Sequence, residues 1–207
     1  KFDIFIYQLE KLGNRLPPLD FYNQHPFEFE DWQKEVLQLI DNNQSVLVCA
    51  PTSSGKTIMT SYLMSKNMQV LYIVPTEPLA FQVMSLYKKM HGCGLLTNNY
   101  EYNVTNHSIL VSTPKVLEKN LDKIHTSYDY IVYDEIHCLN YNIGGFLERL
   151  IKIIDGNILA LSATINNPEY LQDWWSKVKG EKIHLIKYNS RFINTQRHIV
   201  IDNKLQF

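Results

Sequence analysis

No run of about 18 consecutive apolar residues occurs in the 207 residues, so none of them reads as a membrane-spanning helix. The opening stretch, Lys1-Phe2-Asp3-Ile4-Phe5-Ile6, also lacks the basic-then-apolar layout of a signal peptide. Cysteine is scarce: Cys49, Cys93 and Cys138 show no metal-ligand spacing, which excludes a zinc or disulfide framework and points to reduced, structural thiols. These absences lead us to expect a soluble protein of the cytoplasm or another reducing intracellular compartment, with no membrane partner. A basic surplus is missing too. The net charge is −1 and the sequence pI about 6.7, which argues against holding nucleic acid by bulk charge and requires any such contact to be local. Glycine, alanine and arginine are few, while Ile, Asn, Lys and Tyr abound and 16 of the 20 basic residues are Lys. We read this bias as the codon usage of an AT-rich genome, such as that of a protist, a parasite or a large DNA virus. The first residue is Lys and not Met, so a piece of something longer is expected.

What is present is an apolar fraction of 45%, enough over this length for one sizeable core. The chain is organised around Ala50-Pro51-Thr52-Ser53-Ser54-Gly55-Lys56-Thr57, which follows the apolar run Ser45 to Cys49 and precedes the helix-like run Ile58 to Met68. A buried strand, a small-residue turn and a helix start in that order aim several backbone N–H groups at one point, backed by the positive end of the helix dipole. The generic phosphate-loop pattern opens on Gly where this chain has Ala50, but Gly55-Lys56-Thr57 survives where the geometry is tightest. Thr52 to Thr57 are therefore candidate phosphate ligands. Lys56 would reach the β- and γ-phosphates, and the Thr57 hydroxyl would ligate their Mg²⁺. The competing reading is a Ser- and Thr-rich turn between core elements.

Lys1 to Phe29 is aromatic and carries Leu16-Pro17-Pro18-Leu19, a lead-in without a long helix. A helix then places Trp32, Val36, Leu39 and Ile40 on one face and closes at Asp41-Asn42-Asn43. After the phosphate turn, Gln69 to Pro75 reads as a strand, followed by a helix capped by Thr76 with Leu79, Val83, Leu86 and Met90 on one face. Gly94 to Thr97 and Ser108 to Ser112 read as short strands, and Thr113-Pro114 opens a helix to Asn120. Tyr130 to Glu135 is an apolar strand ending in two carboxylates, and the helix after it puts Ile143, Phe146, Leu147, Leu150, Ile151 and Ile154 on a stripe. Asn157 to Thr164 is a further buried strand, and Asn167-Pro168 starts a helix bearing Leu171, Trp174, Trp175 and Val178. Strands alternating with helices, several of them apolar throughout, predict an α/β fold whose mostly parallel sheet is covered on both faces. The segments Ile183 to Tyr188 and His198 to Asp202 read as strands leading off the domain.

In such sheets ligands collect at the carboxyl ends of the strands. Asp134-Glu135 ends a strand there, about 80 residues after Lys56. Asp134 would hold Mg²⁺, and Glu135 would orient or deprotonate the water that attacks the γ-phosphate. As isolated residues the two acids could be only a solvated strand terminus. His137 and Ser162-Ala163-Thr164 fall at the same edge, and the order of the set carries the argument.

Ala50 to Thr57, Thr113-Pro114, Asp134-Glu135-Ile136-His137 and Ser162-Ala163-Thr164 resemble the ordered motifs of superfamily-two helicases of the DExD/H-box type. The tracts Asp134 to Asn140 and Leu159 to Glu169 resemble the large interferon-inducible antiviral DExD/H-box helicases and the exosome-associated DExH helicases, over roughly Phe27 to Asn189. The resemblance implies a RecA-like three-layer sandwich at 29–189, an ATP-binding and ATP-hydrolysing first domain acting with ATP and Mg²⁺ on single-stranded RNA. It further implies a lead-in at 1–28 and an exit segment at 190–207 toward a second RecA-like domain of the same polypeptide. In this light Gln33 matches an adenine-reading glutamine and Phe27 a base-stacking ring, although by composition Phe27 and Trp32 are core residues. Pro75-Thr76 and Thr113-Pro114 match segments that hold a nucleic-acid backbone, and Thr before Pro is equally a good helix start. Relatives often carry a basic residue where this chain has Glu77. His137, Ser162 and Thr164 match a relay between the two sites, or else form a polar network bracing the sheet edge. Arg191 and Arg197 come too early to be the family's arginine finger, a group worth roughly 10³ to 10⁵ in rate. The fragment alone is therefore expected to hydrolyse ATP weakly or not at all. Two rivals stay open: a DNA helicase on the same motifs, and a nucleotide-gated clamp or sensor that does not unwind.

Overall fold

The computed structural model describes residues 7, 29–52, 54–88, 92–163, 165–190, 199–201 and 204–206. The elements run α1 (Asp31–Asp41), β1 (Ser45–Cys49), α2 (Lys56–Met64), β2 (Val70–Ile73), α3 (Glu77–Tyr87), β3 (Cys93–Leu96), β4 (Glu101–Tyr102), β5 (Ile109–Ser112) and α4 (Pro114–Lys119). They continue with β6 (Ser127–Tyr133), a 3₁₀ turn at Ile136–Asn140, α5 (Gly144–Ile153), β7 (Asp155–Ser162), α6 (Pro168–Lys179), β8 (Ile183–Lys187), β9 (Ile199–Ile201) and β10 (Lys204–Gln206). Among the described residues no helix is long and apolar enough to cross a membrane.

Eight strands form one sheet in the order β4-β3-β5-β2-β6-β7-β1-β8, parallel throughout except for the antiparallel edge strand β4. Alternate residues of each inner strand feed two cores. Val46, Val48, Val70, Tyr72, Val132 and Leu161 pack under α1, α2 and α3, while Leu47, Leu71, Ile73, Ile131, Tyr133 and Ala160 pack under α4, α5 and α6. A strand buried on both faces cannot alternate in polarity, and this produces the continuous apolar runs in the sequence.

The helices begin and end where their local chemistry dictates. Asn167 Oδ1 accepts the Tyr170 N–H at 3.2 Å, Pro168 takes the first helical position, and Gly180 closes α6 with φ +69°. Thr76 occupies the N-cap of α3 as expected, but its side chain makes no capping bond. The buried stripe of α3 is Ala80, Val83, Met84 and Tyr87, shifted from the expected one, with Leu79 and Leu86 only half-buried and Met90 outside the described residues.

One reading of the sequence is corrected. β8 does not lead away: it adds to the central sheet beside β1, with Ser45 opposite Ile183 and Cys49 opposite Lys187. Ile183 and Ile186 serve the two opposite cores, so the strand closes the sheet edge nearest the phosphate turn. The segment near His198 is one arm of a hairpin, β9 pairing antiparallel with β10. Trp175 anchors α6, fully buried and edge-on to Tyr133 with ring centroids 5.1 Å apart. We expect Trp175→Ala to cost about 3–5 kcal/mol in urea unfolding, the cavity left by a large aromatic that its neighbours cannot fill.

Candidate active site

The parallel register decides which side chains meet. Cys49 at the end of β1 stands opposite Ser162 at the end of β7, and Tyr133 at the end of β6 stands opposite Ala160. The loop after β1 and the acids after β6 therefore rise at one height on either side of β7. Between them lies a cavity of about 400 Å³ lined by Thr52, Gly55, Lys56, Thr57, Tyr72, Asp134, Glu135 and Leu161. The structure thus brings the phosphate-loop residues and the paired acids together.

Gly55 caps α2 with φ +86°, a left-handed conformation that a β-carbon opposes. A side chain there would also meet Gln33 Nε2 at 2.8 Å. Among the described residues no carbonyl accepts the N–H groups of Gly55, Lys56 or Thr57, which stand at the start of α2, where the first N–H groups have no partner within the helix. The Lys56 ammonium is folded back on its own loop, donating to Ala50 O at 2.7 Å and Pro51 O at 2.9 Å. Burial lowers its proton affinity, and the charges of Glu135 and Asp134 oppose that shift.

Asp134 is held at both carboxylate oxygens: Oδ1 accepts the Glu135 N–H at 3.0 Å and Oδ2 accepts the Tyr72 hydroxyl at 3.2 Å. Burial, then the neighbouring Glu135 charge, pushes the Asp134 carboxyl above its ordinary range. Glu135 itself takes the left-handed backbone, φ +53°, unusual for a residue other than glycine, which turns its side chain back over the strand end. Its Oε2 lies 3.2 Å from His137 Nδ1 but off the hydrogen-bond angle, and stays buried without a hydrogen-bond partner among the described residues. His137 Nδ1 is also 3.5 Å from Ser162 Oγ. A helix N-terminus, a lysine, a threonine hydroxyl and two half-buried acids around one cavity fit a triphosphate accompanied by a divalent cation.

Gln33 is buried, and its amide ties helix to loop: Oε1 accepts the Glu30 N–H at 3.0 Å, and Nε2 donates to Ser54 O at 3.0 Å. The Ser54 hydroxyl donates to Pro51 O at 2.8 Å. Trp32 is core, stacked on Tyr188 at 4.9 Å. Phe27, Ser53 and Thr164 lie outside the described residues. Pro75, Thr76, Thr113 and Pro114 do not reach the cavity lining. They follow the ends of β2 and β5, neighbouring strands with Ile73 opposite Ser112, so they share the same sheet edge farther along it. Thr113 and Pro114 are buried and Thr76 is exposed. Glu77 is engaged rather than free, with Oε1 accepting the Asn98 N–H at 3.0 Å and the Asn98 amide, which pins the β3–β4 connection over the start of α3. Tyr72 is the cavity residue the sequence reading missed. Its one signal is a hydroxyl in an otherwise aliphatic strand, which must find a partner once buried.

Comparison with known proteins agrees with this arrangement. The family described as DEAD/DEAH box helicase matches residues 30–171, and the chain belongs to that family. It is 33% identical over 198 residues to the human protein named probable ATP-dependent RNA helicase DDX60-like, covering 84% of this chain and 12% of that protein. It is 30% identical over 187 residues to human exosome RNA helicase MTR4, covering 85% of this chain and 18% of that protein. The chain therefore spans less than a fifth of the length of these relatives. Among solved structures, a hypothetical ATP-dependent RNA helicase from Sulfolobus tokodaii superposes with a TM-score of 0.63 at 21% identity, covering 88% of this chain and 57% of that one. The helicase MrfA bound to DNA superposes at 0.60 and 18% identity, covering 88% and 29%. These likenesses show the RecA-like fold, the three-layer sandwich expected from the sequence.

The strain and crowding at Gly55 give a direct test of the loop. Gly55→Ala is expected to lose about 1–2 kcal/mol from the left-handed backbone alone, read by chemical unfolding. The loss should be larger when Gln33 is intact than in a Gln33→Ala background, because only the former adds the clash.

Proposed function

We propose that the full-length protein is an ATP-dependent RNA helicase and that residues 29–189 are the first of two RecA-like domains closing on ATP and single-stranded RNA. The reading is carried by one observation: Lys56 and the Asp134-Glu135 pair face one cavity at the carboxyl edge of a parallel sheet, beside three N–H groups with no carbonyl acceptor among the described residues. On this reading the N–H groups of Gly55, Lys56 and Thr57 receive phosphate oxygens, and Lys56 exchanges the Ala50 and Pro51 carbonyls for the β- and γ-phosphates. That exchange is favourable because a charged acceptor makes the stronger hydrogen bond. Gln33, already seated beside Ser54 and Gly55, would meet the adenine edge with its remaining donor and acceptor capacity.

The Thr57 hydroxyl and the Asp134 carboxylate would hold Mg²⁺, whose charge neutralises the phosphates. Glu135, with one buried oxygen unsatisfied, would accept a hydrogen bond or the proton from the attacking water. His137 and Ser162 join the acid to the end of β7, an arrangement suited to sensing whether the γ-phosphate is present. Pro75, Thr76, Thr113 and Pro114 would lie along the nucleic-acid backbone, with Thr164 and Ser53 completing the relay and the loop. An arginine from the second domain would supply the remaining charge.

In the full-length protein, Lys56→Ala and Glu135→Gln are each expected to lower RNA-stimulated ATP hydrolysis by roughly 10²-fold or more, the scale of a lost electrostatic or general-base group. Wild-type rates in either variant contradict the assigned roles. Stimulation by RNA and DNA strands of one sequence separates the RNA reading from the DNA one. ATP turnover without strand displacement moves the assignment to a nucleotide-gated clamp.

A further inference from the structure

Tyr72 lines the cavity yet has no part in the roles above. It sits in β2 among Val70, Leu71 and Ile73, is 3% exposed, and its hydroxyl donates to Asp134 Oδ2 at 3.2 Å. With Asp134 Oδ1 bound to the N–H of the next residue, Glu135, the carboxylate is gripped at both oxygens, once locally and once from β2. Burial and then the Asp134 charge raise the Tyr72 phenol well above its ordinary range, so it remains a donor wherever the acid is ionised.

Behind Tyr72 stands Tyr87 of α3, with ring centroids 6.3 Å apart. The Tyr87 hydroxyl lies 3.0 Å from Thr60 Oγ1 and 3.2 Å from Ser61 Oγ. Those two hydroxyls also reach Thr57 O, at 2.9 Å and 2.8 Å, and the single Tyr87 proton can go to one of them. Two buried rings with few rotatable bonds thus brace the acid on one side and, on the other, the helix turn that carries Thr57.

We propose that Tyr72 is a positioning residue that fixes the Asp134 carboxylate toward the cavity, and that Tyr87 braces the facing turn so that Asp134 and Thr57 are presented at a set spacing. The proposal rests on the reading of Asp134 and Thr57 as the cation-side pair. A tyrosine that merely fills the core would be replaced by phenylalanine without consequence at the site, because the ring is unchanged.

The test uses the full-length protein as wild type, Tyr72→Phe, Asp134→Asn and the double variant. Binding of a fluorescent ADP analogue is followed by anisotropy in EDTA and along a Mg²⁺ titration, together with thermal unfolding. Tyr72→Phe is expected to leave affinity in EDTA unchanged and to raise the Mg²⁺ concentration for half-maximal enhancement about 10-fold, the lower end of losses on removing a ligand's supporting partner. It should add nothing in the Asp134→Asn background. An unchanged Mg²⁺ midpoint in Tyr72→Phe, with Asp134→Asn shifting it, overturns the positioning role while the cation-side reading stands. An unchanged midpoint in Asp134→Asn overturns that reading and the proposal with it. A parallel fall of melting temperature and EDTA affinity in Tyr72→Phe assigns the residue to packing and also overturns it. Tyr87→Phe, the second variant, should raise the midpoint about 5-fold through loss of a single hydroxyl bond, and no rise overturns the brace.

Discussion

The site depends on the register of three strands. β1 and β6 flank β7, so their ends lie about 10 Å apart, two strand spacings, with Leu161 of β7 forming the floor between them. On the proposed reading that gap takes a chain of phosphates, with Lys56 on one side and Asp134-Glu135 on the other. A slip of one residue in either pairing would turn the side chains of a strand to the other core and carry the acids off the level of the loop. The apolar residues on both faces forbid that slip, so the core that stabilises the sheet also sets the geometry of the cavity.

The same convergence is costly in the absence of a ligand. An ammonium and two carboxylates share a half-buried space, and Glu135 stands in a left-handed backbone with one buried oxygen that finds no hydrogen-bond partner among the described residues. The chain offsets part of this internally. Lys56 rests on two loop carbonyls, Asp134 is tied to Tyr72 and to the Glu135 N–H, and Gln33 holds the loop from α1. The two Lys56 bonds are ones that a nucleotide could replace with stronger bonds to a charged acceptor, and sites of this kind trade stability for binding.

How far the sequence spoke for itself follows from the same physics. The inner strands were readable because burial on two faces demands uninterrupted apolar runs, and the turn from β1 into α2 because Gly55 supplies the left-handed residue that opens the helix. β8 misled because His184 and Lys187 gave it the look of an exit segment, whereas an edge strand needs only Ile183 and Ile186 to grip the two cores. The two-residue β4 is too short to leave a pattern. Tyr72 was invisible because tyrosine is an ordinary strand residue, and only the fold brings its hydroxyl to an acid 62 positions away. Glu77, an acid where relatives often carry a base, is occupied by Asn98, a partner that appears only once β3 and β4 pair. The resting place of Lys56 on backbone carbonyls has no sequence signature at all.

The central claim is that the cavity between the loop and the acids receives the triphosphate, and amide chemical shifts read it most directly. With selective ¹⁵N labelling of the full-length protein, addition of ATP and Mg²⁺ should move the Gly55, Lys56 and Thr57 amide protons strongly downfield, as charge-assisted bonds to phosphate form. Saturable nucleotide binding that leaves those three amides in place would contradict the account.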